Sequence, residues 1–121
     1  MKDIVFFDLE TTGLNRDQHT IIEIAVVKTD WYGNIKESWQ TKIKPSEKDL
    51  RHASPKALEI NKYNDADWAD APSAEEVAKE VRTKFNGSFI LAGHNVGGFD
   101  IPFLKTWLVR YGENDNFGSR F

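Results

Sequence analysis

The chain has 121 residues, of which 40% are hydrophobic and none is cysteine; this fits one packed domain, and it excludes disulfides and thiolate metal sites, so that any bound metal is held by oxygen. Sixteen Lys and Arg against nineteen Asp and Glu, a net charge of −3, speak against a protein that grips long duplex by neutralising many phosphates, though not against an enzyme that holds only a strand end. No apolar run approaches the ~18 residues of a membrane span and the N-terminus lacks the layout of a signal peptide, so a cytoplasmic protein without membrane contact is expected.

Residues 4–7, Ile-Val-Phe-Phe, run directly into Asp8-Leu9-Glu10 and then into Thr11-Thr12-Gly13-Leu14. A continuous apolar run ended by a turn signal predicts a central strand buried on both faces. Strand side chains alternate, so Asp8 and Glu10 project from one face at its C-terminal end and Leu9 from the other. Two carboxylates that close repel. The repulsion is relieved by solvent, by protonating one of them, or by a hard divalent cation such as Mg²⁺, which takes oxygen ligands.

After a polar loop at 15–19, the β-branched residues 20–29 predict a second strand and residues 35–44 a third, joined through Trp31-Tyr32-Gly33-Asn34 as a hairpin. Pro45 stops the third strand, whose half-exposed pattern puts it at a sheet edge. Ser54-Pro55 opens a short helix over 56–60, and residues 61–72 connect it to a firmer one. That helix starts at the capping box of Ser73 and Glu76, carries the stripe Val77, Val81 and Phe85, and stops at Gly87. Residues 88–92 predict a fourth, buried strand leading to His94, and Ile101, Leu104, Leu108 and Tyr111 mark a last helix ended by Gly112. A strand, helix, strand succession implies a parallel right-handed crossover, and hence the sheet order third, second, first, fourth. Asp100 has two readings, a side-chain N-cap of the last helix or an acid facing a nearby cation.

The stretch DLETTGL at residues 8–14 resembles the first motif of the DEDD exonuclease superfamily, the DnaQ-like group containing polymerase proofreading subunits, ribonuclease T and oligoribonuclease. Gly93-His94-Asn95-Val96-Gly97-Gly98-Phe99-Asp100 resembles its second motif, in which a strand ends in His-Asn and a Phe-Asp pair opens the next helix. The resemblance implies an α/β, ribonuclease H-like fold: a mixed sheet of antiparallel meander plus parallel crossover strand, with helices on its faces. It also implies a metal-dependent 3′→5′ exonuclease that hydrolyses phosphodiester bonds at DNA or RNA 3′ ends with two Mg²⁺ or Mn²⁺ ions. By the same resemblance Asp8 bridges the two ions, Glu10 is a ligand of one, and Asp100 a ligand of the other, often through water. Thr11, Thr12, Gly13 and Leu14 match positions that hold the terminal nucleotide: backbone N–H groups near Thr11 and Thr12 meet its 3′-hydroxyl, and Leu14 packs on the base. His94 and Asn95 match positions that support the site and the nucleic-acid strand nearby, and with Phe99 they are expected among the substrate-binding residues. Lys42, Lys44, Lys48, Arg51 and Lys56, around the third β-strand and the loop after it, either steer a single nucleic-acid strand toward the site or block association at the sheet edge.

Two departures from the family pattern stand out. Three residues, Val96-Gly97-Gly98, separate Asn95 from Phe99 where many members have two, and the glycines are expected to absorb the extra one. The third motif, His-x4-Asp or Tyr-x3-Asp on a late helix, has no good counterpart. No His is followed by Asp five positions on, and Tyr63 with Asp67 precedes the second motif. Tyr111 with Asp115 lies at the far end of the helix that Asp100 opens, ~16 Å away at ~1.5 Å per residue. Residues 1–121 are therefore expected to be the N-terminal two-thirds of a single exonuclease domain, inactive alone. Its partners would be a single-stranded 3′ end, a polymerase, or a C-terminal piece of the same protein. The alternative is a non-catalytic module that binds nucleic-acid ends or a polymerase.

Overall fold

The computed structural model describes residues 2–85, 89–93 and 96–116. Strands β1 (Asp3–Thr11), β2 (Ile21–Thr29) and β3 (Ile35–Lys42) make an antiparallel meander, and β4 (Phe89–Ala92) adds parallel to β1. The order β3-β2-β1-β4 is the one the sequence predicts, with β3 at an edge. Helices α1 (Glu47–Arg51), α2 (Pro55–Ile60), α3 (Asp65–Trp68) and α4 (Ala74–Lys84) lie between β3 and β4, and α5 (Ile101–Arg110) follows β4. Gly87, His94 and Asn95 lie outside the described residues.

Local chemistry explains most boundaries. Asp30 accepts hydrogen bonds from the backbone N–H groups of Tyr32 and Asn34, both at 2.9 Å, and so closes the β2–β3 hairpin. Ser54 caps α2 with Pro55 at its first turn, and the capping box of Ser73 and Glu76 opens α4. Gly112, at φ +88°, ends α5 in the left-handed conformation that favours glycine. Two short helices escape the periodicity argument. Ser46 with Asp49 makes a second capping box that starts α1, so Lys48 and Arg51 belong to a helix, and Asn64 caps α3 inside the stretch read as a connector.

The expectation that β1 is buried on both faces is corrected here. Val5, Phe7 and Leu9 are buried, whereas Phe6 is 42% exposed and Asp8 lies open beside it. The buried set belongs to one core with Val77, Ala78 and Val81 of α4 and Ile101, Leu104, Trp107 and Leu108 of α5. Phe85, at the end of α4, meets Phe7 edge to face at 5.5 Å and Phe89 of β4 at 5.8 Å, which ties helix, central strand and edge strand together. The apolar run in the sequence thus reflects two different surfaces: a packed one, and an open one that still carries Ile4 and Phe6.

The extra residue of the second motif is also accounted for. Val96–Asp100 forms one π-helical turn that leads into α5. A π turn closes around one more residue than an α turn, so the insertion widens the turn before the helix.

Candidate active site

Position in the sheet brings the first two acids together. The parallel ladder between β1 and β4 ends where Phe6 faces Ala92, so from Phe7 onward β1 runs past its neighbour. Asp8 opposes Ala25 of β2 and Glu10 opposes Glu23, which puts both carboxylates on the open face, two residues apart. A shallow depression of about 260 Å³ beside Asp8 is lined by Phe6, Ala25, Val27 and Gly93, the last being the first residue of the second motif. Between Glu10 and Thr11 the β1–β2 register shifts, and this irregularity turns the chain out of the sheet into residues 12–14.

Glu10 carries the electrostatic signature of the place. Partial burial raises its carboxyl above the ordinary value of 4.5, and the charges of Glu23 and then Asp8 push it further up. Lys42 pulls in the opposite direction. Glu23 is itself restrained, accepting a hydrogen bond from Gln40 Nε2 at 2.7 Å and pairing with Lys42 at 3.5 Å. Lys42 also sits 4.9 Å above the ring of Trp68, at the end of α3.

Residues 11–14 are held from behind. Thr12 is fully buried; its N–H donates to the Thr20 carbonyl at 2.9 Å, and its hydroxyl accepts from the Thr20 N–H at 3.0 Å. Thr11 is buried and donates its hydroxyl to the Gly13 carbonyl at 2.7 Å. The carbonyls of Thr11 and Thr12 accept from Asn61 Nδ2 at 2.8 Å and from the Ser54 N–H at 2.7 Å. Gly13 has no positive φ; it is glycine because a Cβ there would overlap the His19 ring. Leu14, by contrast, is 84% exposed. The turn therefore presents one apolar side chain to solvent from a base held by the hydrogen bonds of Thr11 and Thr12.

Asp100 is buried at the junction of the π turn and α5. Its backbone is already helical and its side chain makes no capping hydrogen bond, so the N-cap reading does not describe it. Phe99 packs against the core and meets Phe103 at 5.3 Å. No group of three or more His, Asp and Glu side chains among the described residues is arranged to hold one ion, so Asp100 does not join Asp8 and Glu10 in a single direct cluster. Tyr111 is the C-cap of α5, and Asp115 is exposed beyond it. Sequence reasoning missed Ser54 and Asn61 as supports of the turn, and a separate concavity of about 450 Å³ lined by Asp17, Gln18, His52 and Arg110.

The family model described as exonuclease, that of ribonuclease T, matches residues 5–117. The chain belongs to this exonuclease family, within the DEDD superfamily. PolC-type DNA polymerase III of Thermotoga maritima is 38% identical over 106 residues, covering 88% of this chain, and that of Staphylococcus aureus is 34% identical over 108 residues, covering 89%. In both, the match spans 7% of the polymerase. Among solved structures, Escherichia coli exonuclease I in complex with a dA13 oligonucleotide superposes with a TM-score of 0.88 at 18% identity, over 99% of this chain and 27% of that one. A zinc-bound exonuclease I–single-stranded DNA complex also gives 0.88, at 19% identity, over 98% and 26%. These likenesses establish the ribonuclease H-like fold of the domain. No helix among its described residues is long and apolar enough to cross a membrane.

Proposed function

We propose that this domain is the part of a metal-dependent 3′→5′ exonuclease that receives the 3′ end of a single nucleic-acid strand. The observation that carries the reading is the pair Asp8 and Glu10, two residues apart on the open face of a central strand, past the end of the β4 ladder and followed in the chain by the exposed Leu14. Oxygen-only donors, two adjacent carboxylates and a Glu whose charge is disfavoured without a counter-ion fit Mg²⁺ or Mn²⁺, which are held by one or two carboxylates plus substrate phosphate. Asp8 and Glu10 would hold the ions, with the buried Asp100 as a further oxygen donor. Once bound, such a pair of ions stabilises the attacking and leaving oxygens of the scissile phosphodiester.

The chain's own residues do the rest of the positioning. Leu14 supports the terminal base with an apolar surface, while buried Thr11 and Thr12 fix the turn that carries it. Asp8 and Glu10 keep negative charge fixed where the phosphate arrives, so substrate enters only with its cations. None of the His residues is followed by an Asp five positions on, so no His of this chain is assigned as the general base. The chain spans about 7% of the polymerases and about a quarter of exonuclease I, so the activity belongs to the complete protein, with a polymerase as one partner.

Degradation of a single-stranded oligonucleotide, labelled at either end, by the complete natural protein tests this. Loss from the 3′ end that requires Mg²⁺ or Mn²⁺ and disappears in Asp8→Ala is expected. Loss from the 5′ end, or full activity in Asp8→Ala, overturns the reading; binding without cleavage by the complete protein favours the non-catalytic module.

A further inference from the structure

Behind the turn at residues 11–14, one side chain touches three separate segments. The His19 ring packs so closely on Gly13 that a methyl group there would overlap it. Its Nδ1 accepts the Asn15 N–H at 3.0 Å, which places the proton of the neutral ring on Nε2, and Nε2 donates to the His52 carbonyl at 3.1 Å. The imidazole thus braces the turn, the loop that follows it and the connection between α1 and α2.

A second side chain fastens this loop to the far end of the domain. Arg110, in the last turn of α5, donates through Nη1 to the His19 carbonyl at 2.9 Å and through Nη2 to the Arg16 carbonyl at 2.6 Å. The planar fork of a guanidinium reaches two carbonyls from two nitrogens held at a fixed spacing, whereas a lysine must serve both from a single ammonium. The helix that ends in this clamp is the one that begins directly after Asp100, about 15 Å away along its axis.

We propose that His19 and Arg110 are positioning residues: the imidazole sets where Gly13 and Leu14 stand, and the guanidinium locks the loop behind that turn to the helix that Asp100 precedes. The inference rests on Leu14 as a nucleotide contact. It predicts that the nucleotide-holding turn and the third acid move together, and that loosening the clamp weakens grip on the strand end before it touches the Asp8–Glu10 pair.

The test uses the complete natural protein and its His19→Gln, Arg110→Gln and Arg110→Lys variants. Three quantities are read: affinity for a single-stranded oligonucleotide with Ca²⁺ replacing Mg²⁺, Mn²⁺ affinity by relaxation, and amide hydrogen exchange at residues 12–19. The Gln variants should bind the oligonucleotide roughly tenfold more weakly, as expected for one or two lost hydrogen bonds, and exchange faster at residues 12–19, with Mn²⁺ affinity unchanged. Arg110→Lys should fall between. Gly13→Ala should be impaired and His19→Ala should partly rescue it in the double variant, because the overlap is between those two groups. Oligonucleotide affinity equal to wild type in the Gln variants, or parallel loss of Mn²⁺ affinity, overturns the proposal. Wild-type protein that binds no oligonucleotide refutes the functional reading instead, and the exchange data then decide the bracing by themselves.

Discussion

On β1, Val5, Phe7 and Leu9 alternate with Phe6, Asp8 and Glu10, and the two sets live under different rules. The first set is packed into the core with α4 and α5, and Phe7 stacks its edge on Phe85. The second faces outward, with Phe6 42% exposed and Glu10 pressed by the charges of Glu23 and Asp8. One face thus contributes stability, and the other accepts unfavourable charge. A strand with a period of two allows both because its faces share a backbone but no side-chain neighbours.

Substitutions that cross between faces should separate the two rules. Phe7→Ala is expected to destabilise the domain by about 3–5 kcal/mol, as a cavity in the core does, while Phe6→Ala costs less than ~1 kcal/mol. Paired chemical denaturation curves measure both, and comparable losses would mean that the two faces are equally packed. Asp8→Ala should reverse the pattern, lowering exonuclease activity of the complete protein at least about a hundredfold while the melting temperature stays near wild type. Ser73→Ala, remote from both faces, should cost about 1 kcal/mol through the lost cap of α4 and leave activity per folded molecule intact.

The smallest effect is the most diagnostic of the open face. Glu10 has a raised folded-state pKa, so it favours folding fully only below the ordinary value of 4.5, and that contribution is lost as pH rises through the raised value. Glu10→Gln in metal-free protein should therefore be neutral near pH 4 and mildly stabilising by pH 7, as seen in thermal melts at stepped pH. Mn²⁺ should erase the difference by stabilising wild type alone. A gain that is constant with pH would mean that charge at Glu10 is not the cause.

The hairpin, the capping box of α4 and the acids on one face were legible in the sequence because each depends on neighbours within a few residues, and the order of strands because a right-handed parallel crossover leaves few topologies. What stayed hidden has two physical origins. Helices of four and five residues, α1 and α3, complete hardly more than a turn, and only the caps Ser46 and Asn64 announce them. The braces of the turn reach across long separations: Asn61 to Thr11, His19 to His52 and Arg110 to Arg16 are joined only after folding. The exposed side of β1 was misread for a third reason, since Ile4 and Phe6 are as apolar as Val5 and Phe7 whether or not anything covers them.

The π turn at Val96–Asp100 makes length in this segment a discrete variable. Each residue of a helix advances it by about 100°, so removing one glycine cannot simply shorten the connection. It would offset the angular phase of Asp100 against the anchored strand β4, while Ile101, Leu104 and Leu108 hold α5 to its present rotation in the core. Relatives with the shorter segment must reach the same placement with an ordinary turn, and chimaeras that exchange α5 without exchanging residues 96–100 should misplace Asp100 even when they fold.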